Sequence, residues 1–259
     1  MSNGIVASVT RAGAYEPFDL QVSRGQIMGH STLSLFGYQI SISTTSIPIW
    51  ENATTYTYPT SATTLNITSS STSDVSPAQV LISGLDANYL PISETVVLNG
   101  TANVATVNSY FRVNSLVMTG VASGQTSNAG TITAKQSSNI LAQINIGIGK
   151  SQSMIYTVPA GYTFYLDWVE VNTSNSYTGS TYITYKVVAK NNANGVTYAV
   201  LQQPFVALYT ANRSYDPFAY TEKTDIQWQL LSSSATVAAG VIVTGKLIQN
   251  NNSVTGVGT

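Results

Sequence analysis

The chain contains no cysteine, one histidine and few charges, with 8% Asp, Glu, Lys and Arg where an average soluble domain has roughly a quarter. Without cysteine there is no disulfide framework, no thiolate zinc site and no thiol nucleophile. With His30 as the sole histidine, any metal site with two imidazoles is excluded, and any Ser-His-Asp triad would have to rest on that residue. Ten basic residues against eleven acidic ones leave a net charge of −1. No basic run provides an electrostatic footprint for nucleic acid or anionic lipid, so neither is expected as a partner. The first twenty residues lack the basic and apolar regions of a secretory leader, and no apolar stretch approaches the ~20 residues that span a bilayer. The expectation is synthesis in the cytoplasm, with exit, if any, by assembly or lysis.

What is present is β-forming. Thr, Val, Ile and Tyr are plentiful, the apolar fraction is 43%, and no window carries a sustained helical period. Thr224–Leu230 alternates cleanly, with Ile226, Trp228 and Leu230 on one side and Asp225, Gln227 and Gln229 on the other. Ile183, Tyr185, Val187 and Ala189 alternate in the same way. Tyr162–Val171 is apolar on both faces and reads as a central strand, with Trp168 and Trp228 as core residues; Val237–Ile248 is a final long strand. Turn residues recur at Ser83–Asn88, Asn99-Gly100, Val158–Gly161 and Asn191–Gly195, at the spacing of sandwiches and barrels.

The expected fold is all-β, with two antiparallel, jelly-roll-like sandwiches after an extended N-terminal arm. The boundaries are 1–35 for the arm, 36–137 for the first sandwich, 138–250 for the second and 251–259 for a flexible tail. The polar bridge Lys135–Asn139 separates the two sandwiches. The arm carries spaced apolar residues, Tyr15, Phe18, Leu20, Val22 and Ile27, together with His30, and these are the expected assembly interface.

Little chemistry is available. His30 reads as a packing or hydrogen-bonding histidine. Gly147-Ile148-Gly149-Lys150 lacks the leading glycine and following helix of a phosphate loop. Asp167 and Glu170, at odd separation, are expected on opposite faces if their segment is a strand, which disfavours a carboxyl pair. Asp216, Glu222 and Asp225 straddle a turn and read as turn acids, with calcium binding as the remaining alternative. No metal, cofactor or turnover is expected. Sixteen tyrosines and three tryptophans suit pleated surfaces and interfaces; a sugar-stacking platform is the alternative use.

Ordered pieces of the chain resemble a known family. They include Leu20–Ser31, Phe36-Gly37-Tyr38, Ile49-Trp50-Glu51, Gly84–Tyr89, Glu94–Thr101, Asn128–Ile132, Tyr156–Tyr162 and Thr221–Ile226. Together the chain resembles the virion structural proteins of marine tailed bacteriophages. The resemblance implies a shared scaffold and brings no catalytic motif. It implies a virion component without settling which part; the expected role is an accessory component on the capsid surface or at the tail vertex, acting as a homo-oligomer among other virion proteins. A tail protein that binds host glycan is the alternative.

Overall fold

The alternating segments become strands that pair as a nested ribbon. In the computed structural model, residues 16–42, 44–174, 182–205, 209–233 and 237–250 are described. Strand β1 (His30–Ile42) pairs with the last strand, β16 (Val237–Gln249). Inside that pair, β2 (Ile47–Pro48) and β10 (Ile155–Thr157) both lie along β15 (Thr224–Ser232). Next, β11 (Tyr162–Thr173) pairs with β14 (Tyr209–Tyr220), and innermost β12 (Ile183–Asn191) pairs with β13 (Thr197–Phe205). Successive pairs fall into two antiparallel sheets, ordered β1-β16-β11-β14 and β10-β15-β12-β13 with β2 also on β15.

One strand of this ribbon is interrupted. Between β2 and β10 the chain leaves to form β3 (Asn66–Ser69), β4 (Val75–Leu85), β5 (Pro91–Asn99), β6 (Val104–Ala105), β7 (Arg112–Gly120), β8 (Ile132–Gln136) and β9 (Asn139–Ile144). These build two further antiparallel sheets, β6-β3-β8-β9 and β5-β4-β7. Among the described residues the molecule is thus all-β with four sheets, a count that a four-blade, propeller-like arrangement also fits. The inserted strands do not repeat the nested pairing, so a second jelly roll is not found there.

The apolar residues follow this division. One buried cluster joins Ile42 and Ile49 to Met154 and to strands as far as Val243, around Trp228, Phe164 and Tyr220. The other runs from Trp50 to Ile155, around Tyr110, Leu65, Ile82 and Leu116. Each cluster draws on two sheets, as opposed faces that alternate inward require.

Two expectations are therefore corrected. The boundary at Lys135–Asn139 is the tight turn of the β8–β9 hairpin, with Ser137 at φ 55°, and residues 36–49 belong with the C-terminal strands. The region 1–35 is not an extended arm throughout. Phe18–Ser23 forms a short helix, α1, and residues 30–35 are already strand, paired to Leu247–Val243 and beyond. The tail 251–259 lies outside the described residues. No described helix is long and apolar enough to cross a membrane.

Candidate functional site

The residues expected at an assembly interface separate into several environments. Tyr15 lies outside the described residues. Phe18 and Leu20 are exposed on α1, whereas Val22 is buried and Ile27 half-buried. His30 opens β1; its Nδ1 lies 3.0 Å from the Met28 carbonyl, and the Phe18 ring meets its ring edge-on at 6.0 Å. Lys246 on β16 ties α1 down, reaching Asp19 at 3.1 Å and Asp167 at 3.1 Å. Burial works to lower the Lys246 pKa, but its two carboxylate partners outweigh it and hold the amine above its ordinary value.

Trp228 is fully buried, but Trp168 is only half-buried. The reason is a β-bulge. Register shifts between Leu166 and Trp168 against both neighbouring strands, so Asp167 is an extra residue and the alternation reverses. Phe164 and Leu166 point inward before it, Val169 and Val171 after it, and Trp168 turns to the outer side. Gly245 lies opposite, where a Cβ would come within 2.1 Å of the Tyr165 carbonyl oxygen. Only glycine lets the strands approach there.

The candidate acids do not converge. Glu222 accepts a hydrogen bond from the Gly161 amide, and the side chain of Asp216 lies outside the described residues. Among the described residues no group of three or more His, Asp or Glu is placed to hold a metal. Asp225 is committed elsewhere. Its carboxylate takes a bidentate pair from Arg112, Nε to Oδ1 and Nη2 to Oδ2, each at 2.8 Å. The Thr157 hydroxyl donates at 2.6 Å and the Asn192 amide at 2.8 Å. The guanidinium also donates to the carbonyls of Pro59 and Phe111 and lies 4.1 Å from the Phe111 ring and 4.8 Å from that of Tyr58. Burial works to lower the Arg112 pKa, but the hydrogen bonds and charge of Asp225 outweigh it.

Arg112 stands on the inserted β7 and Asp225 on β15 of the ribbon, so this pair joins the two regions. Asn114 extends the joint by bonding both the amide and the carbonyl of Thr157 at 3.0 Å. Glu51 sits where the chain leaves the ribbon, accepting a hydrogen bond from the amide of Gln152 on the returning segment. Its other oxygen is buried without a hydrogen bond, and burial raises its pKa to about 7. Sequence reasoning missed Arg112 and Glu51. The available signal was a charged residue inside an apolar run, Tyr110-Phe111-Arg112-Val113, in a chain with few charges.

A cleft of about 750 Å³ opens between the regions. One wall is the first half of β1, including Leu33, Leu35 and Phe36; the other includes Ile92 of β5 and Lys150. Serines contribute widely to its lining; among the described residues no carboxylate does, Lys150 is its only charged residue, and it forms no ion pair.

No protein-family model matches the chain, and no curated protein matches it. Among solved structures, one of infectious bursal disease virus, Gx strain, aligns over 86% of this chain and 72% of its own, at 12% identity and a TM-score of 0.25. At that TM-score the likeness carries no argument about fold or function.

Proposed function

We propose that the protein is a structural component of a bacteriophage virion, an accessory capsid or tail-vertex protein. On this reading it acts without catalysis, by assembling as a symmetric homo-oligomer in contact with other virion proteins. The observation that carries the reading is the nested pairing β1–β16, β2/β10–β15, β11–β14 and β12–β13, split between two sheets. That is the winding of a jelly roll, a fold frequent in capsid proteins. We read the ribbon as one jelly-roll sandwich and residues 50–154 as a second sandwich inserted into its second strand. The fold supplies analogy only. The site-level support is the buried Arg112–Asp225 pair, which joins the two units. Quantitative peptide mass spectrometry of purified particles tests it. Copies per particle in a multiple of the symmetry of a capsid or vertex are expected, and absence from particles would refute it.

The second reading is a glycan-binding tail protein, favoured by the serine-rich cleft with its uncompensated Lys150. Hydroxyl and amide groups beside an aromatic face suit a sugar, and a lone cation suits an acidic one. Glycan-array binding that is lost in Lys150→Ala would support it.

A further inference from the structure

Every sheet has edges, and the charges and prolines of this chain are not spread evenly over them. The outer strand β14 contains Arg213, Asp216 and Pro217, β13 contains Pro204, and β2 contains Pro48. In the insert, β5 contains Pro91 and Glu94, and β7 contains Arg112. The shorter β9 is crossed by the segment before β3, whose Tyr56 hydroxyl reaches the Leu141 carbonyl and whose Thr57 carbonyl accepts from Asn139. Charges and prolines are the usual guards against strand addition. The remaining long edge, β1, is thirteen residues without a Lys, Arg, Asp, Glu or Pro.

Among the described residues the β1 backbone pairs in a ladder with β16 alone. Phe36, Tyr38 and Ile40 are exposed along it, Ile40 at 77%. The first half of β1 also lines the interregional cleft through Leu33 and Leu35, with Ile92 elsewhere in the lining. An unguarded edge beside an apolar-walled cleft has the geometry of a strand acceptor, in which backbone hydrogen bonds supply affinity and the cleft takes alternate side chains.

We propose that the open edge of β1 accepts an added strand from residues 1–15 of a neighbouring copy of this chain. The inference rests on the oligomeric reading above. Three observations select this occupant. The segment carries no charge before Arg11, matching an uncharged edge, and contains the β-branched residues Ile5, Val6, Val9 and Thr10. Fifteen residues fully extended reach roughly 50 Å, enough to follow a thirteen-residue strand of about 44 Å. The segment joins the described chain at Glu16, beside α1, which is already docked on β1 and β16 through Ser23–Thr32 and Asp19–Lys246.

The test uses the full chain and two engineered edges. Ser34→Lys with Phe36→Lys places two cations on exposed positions of β1 without touching the core, and Val97→Lys is the matching control on exposed β5. Light scattering after size exclusion reads the mass. The wild type and the control are expected to be oligomeric and the β1 variant to fall to the mass of one chain with an unchanged melting temperature. The absence of native cysteine then allows trapping: a Val6→Cys chain mixed with a Ser34→Cys chain is expected to give a mixed disulfide on mild oxidation. Retention of the oligomer by the β1 variant, or a Val6→Cys/Ser34→Cys double variant that closes its disulfide within one chain, overturns the proposal. A wild type of single-chain mass would overturn the oligomeric reading as well, so the two failures are distinguishable.

Discussion

The ribbon and the insert hold their shapes by different means. In the ribbon, apart from the short β2 and β10, strands of nine to thirteen residues set register through long alternation, as in β16, where Val237, Ala239, Val241 and Val243 are all buried. The core is apolar and aromatic, with Trp228, Phe164 and Tyr220 fully enclosed. In the insert, β4, β5 and β7 are nine to eleven residues long, but β3, β6 and β8 are two to five, too short for alternation to specify much, and polar side chains hold the connections. Fully buried Asp74 accepts from Ser69 at 2.5 Å and from the amides of Ala129 and Gly130 at 2.8 and 2.9 Å. Glu94 caps the amides of Val107 and Asn108, and Asn128 bonds Gly130, Asn145 and Gly149. Long strands can rely on non-directional burial; short ones need directional bonds to choose one arrangement.

The joint between the two regions is where the largest effect is expected. Arg112→Ala leaves Asp225 buried with only Thr157 and Asn192 as side-chain partners, and is expected to cost roughly 3–5 kcal/mol in chemical unfolding. Arg112→Met with Asp225→Leu, which removes both charges, is expected to recover most of that. If the double variant is as unstable as the single, the pair is not the joint. Within the ribbon, Trp228→Ala is expected to cost a similar amount, roughly 3–5 kcal/mol, through the cavity it leaves.

Glu51 sharpens the comparison through pH. Its folded pKa is about 7, raised from 4.5 by burial, so the folded state favours the neutral carboxyl. The stability this gives is complete below about pH 4.5 and lost as pH rises through about 7. Glu51→Gln keeps an acceptor for the Gln152 amide and carries no charge. It is expected to match the wild type near pH 4 and to exceed it at pH 8.5 by up to about 3 kcal/mol. Equal melting temperatures at both pH values would contradict the burial argument. Smallest is Trp168→Ala. Because the bulge turns this ring outward, truncation is expected to cost only about 1 kcal/mol, and a loss as large as that of Trp228 would mean that the reversal at Asp167 is wrong.

Much of the ribbon could be read from residues. Ile226, Trp228 and Leu230, or Ile183, Tyr185 and Val187, announce one buried face by period alone, and the all-β class follows from many such runs. Three features could not be read. The bulge at Asp167 reverses an apparently regular alternation with one polar residue, and nothing local marks it. The interruption of the ribbon is hidden because its two halves, Ile47–Pro48 and Ile155–Thr157, are too short to show a period and meet only on β15. The helix α1 lacks both length and a side-chain cap, so its six residues resembled an extended arm. Of the candidate interface, Val22 was legible as an apolar residue that needs burial and is buried, Leu20 stays exposed on α1, and the Arg112–Asp225 pair spans 113 positions and exists only in the fold.

The proposed role is that of a virion building block in which the nested ribbon is held to the inserted unit. A three-dimensional reconstruction of the intact particle tests it most directly. The account predicts symmetric density at a capsid or vertex position into which both regions fit as one body, with the β1 edge at a contact between copies. A particle in which no density accommodates the chain, or in which it sits as an isolated copy with β1 facing solvent, would contradict it.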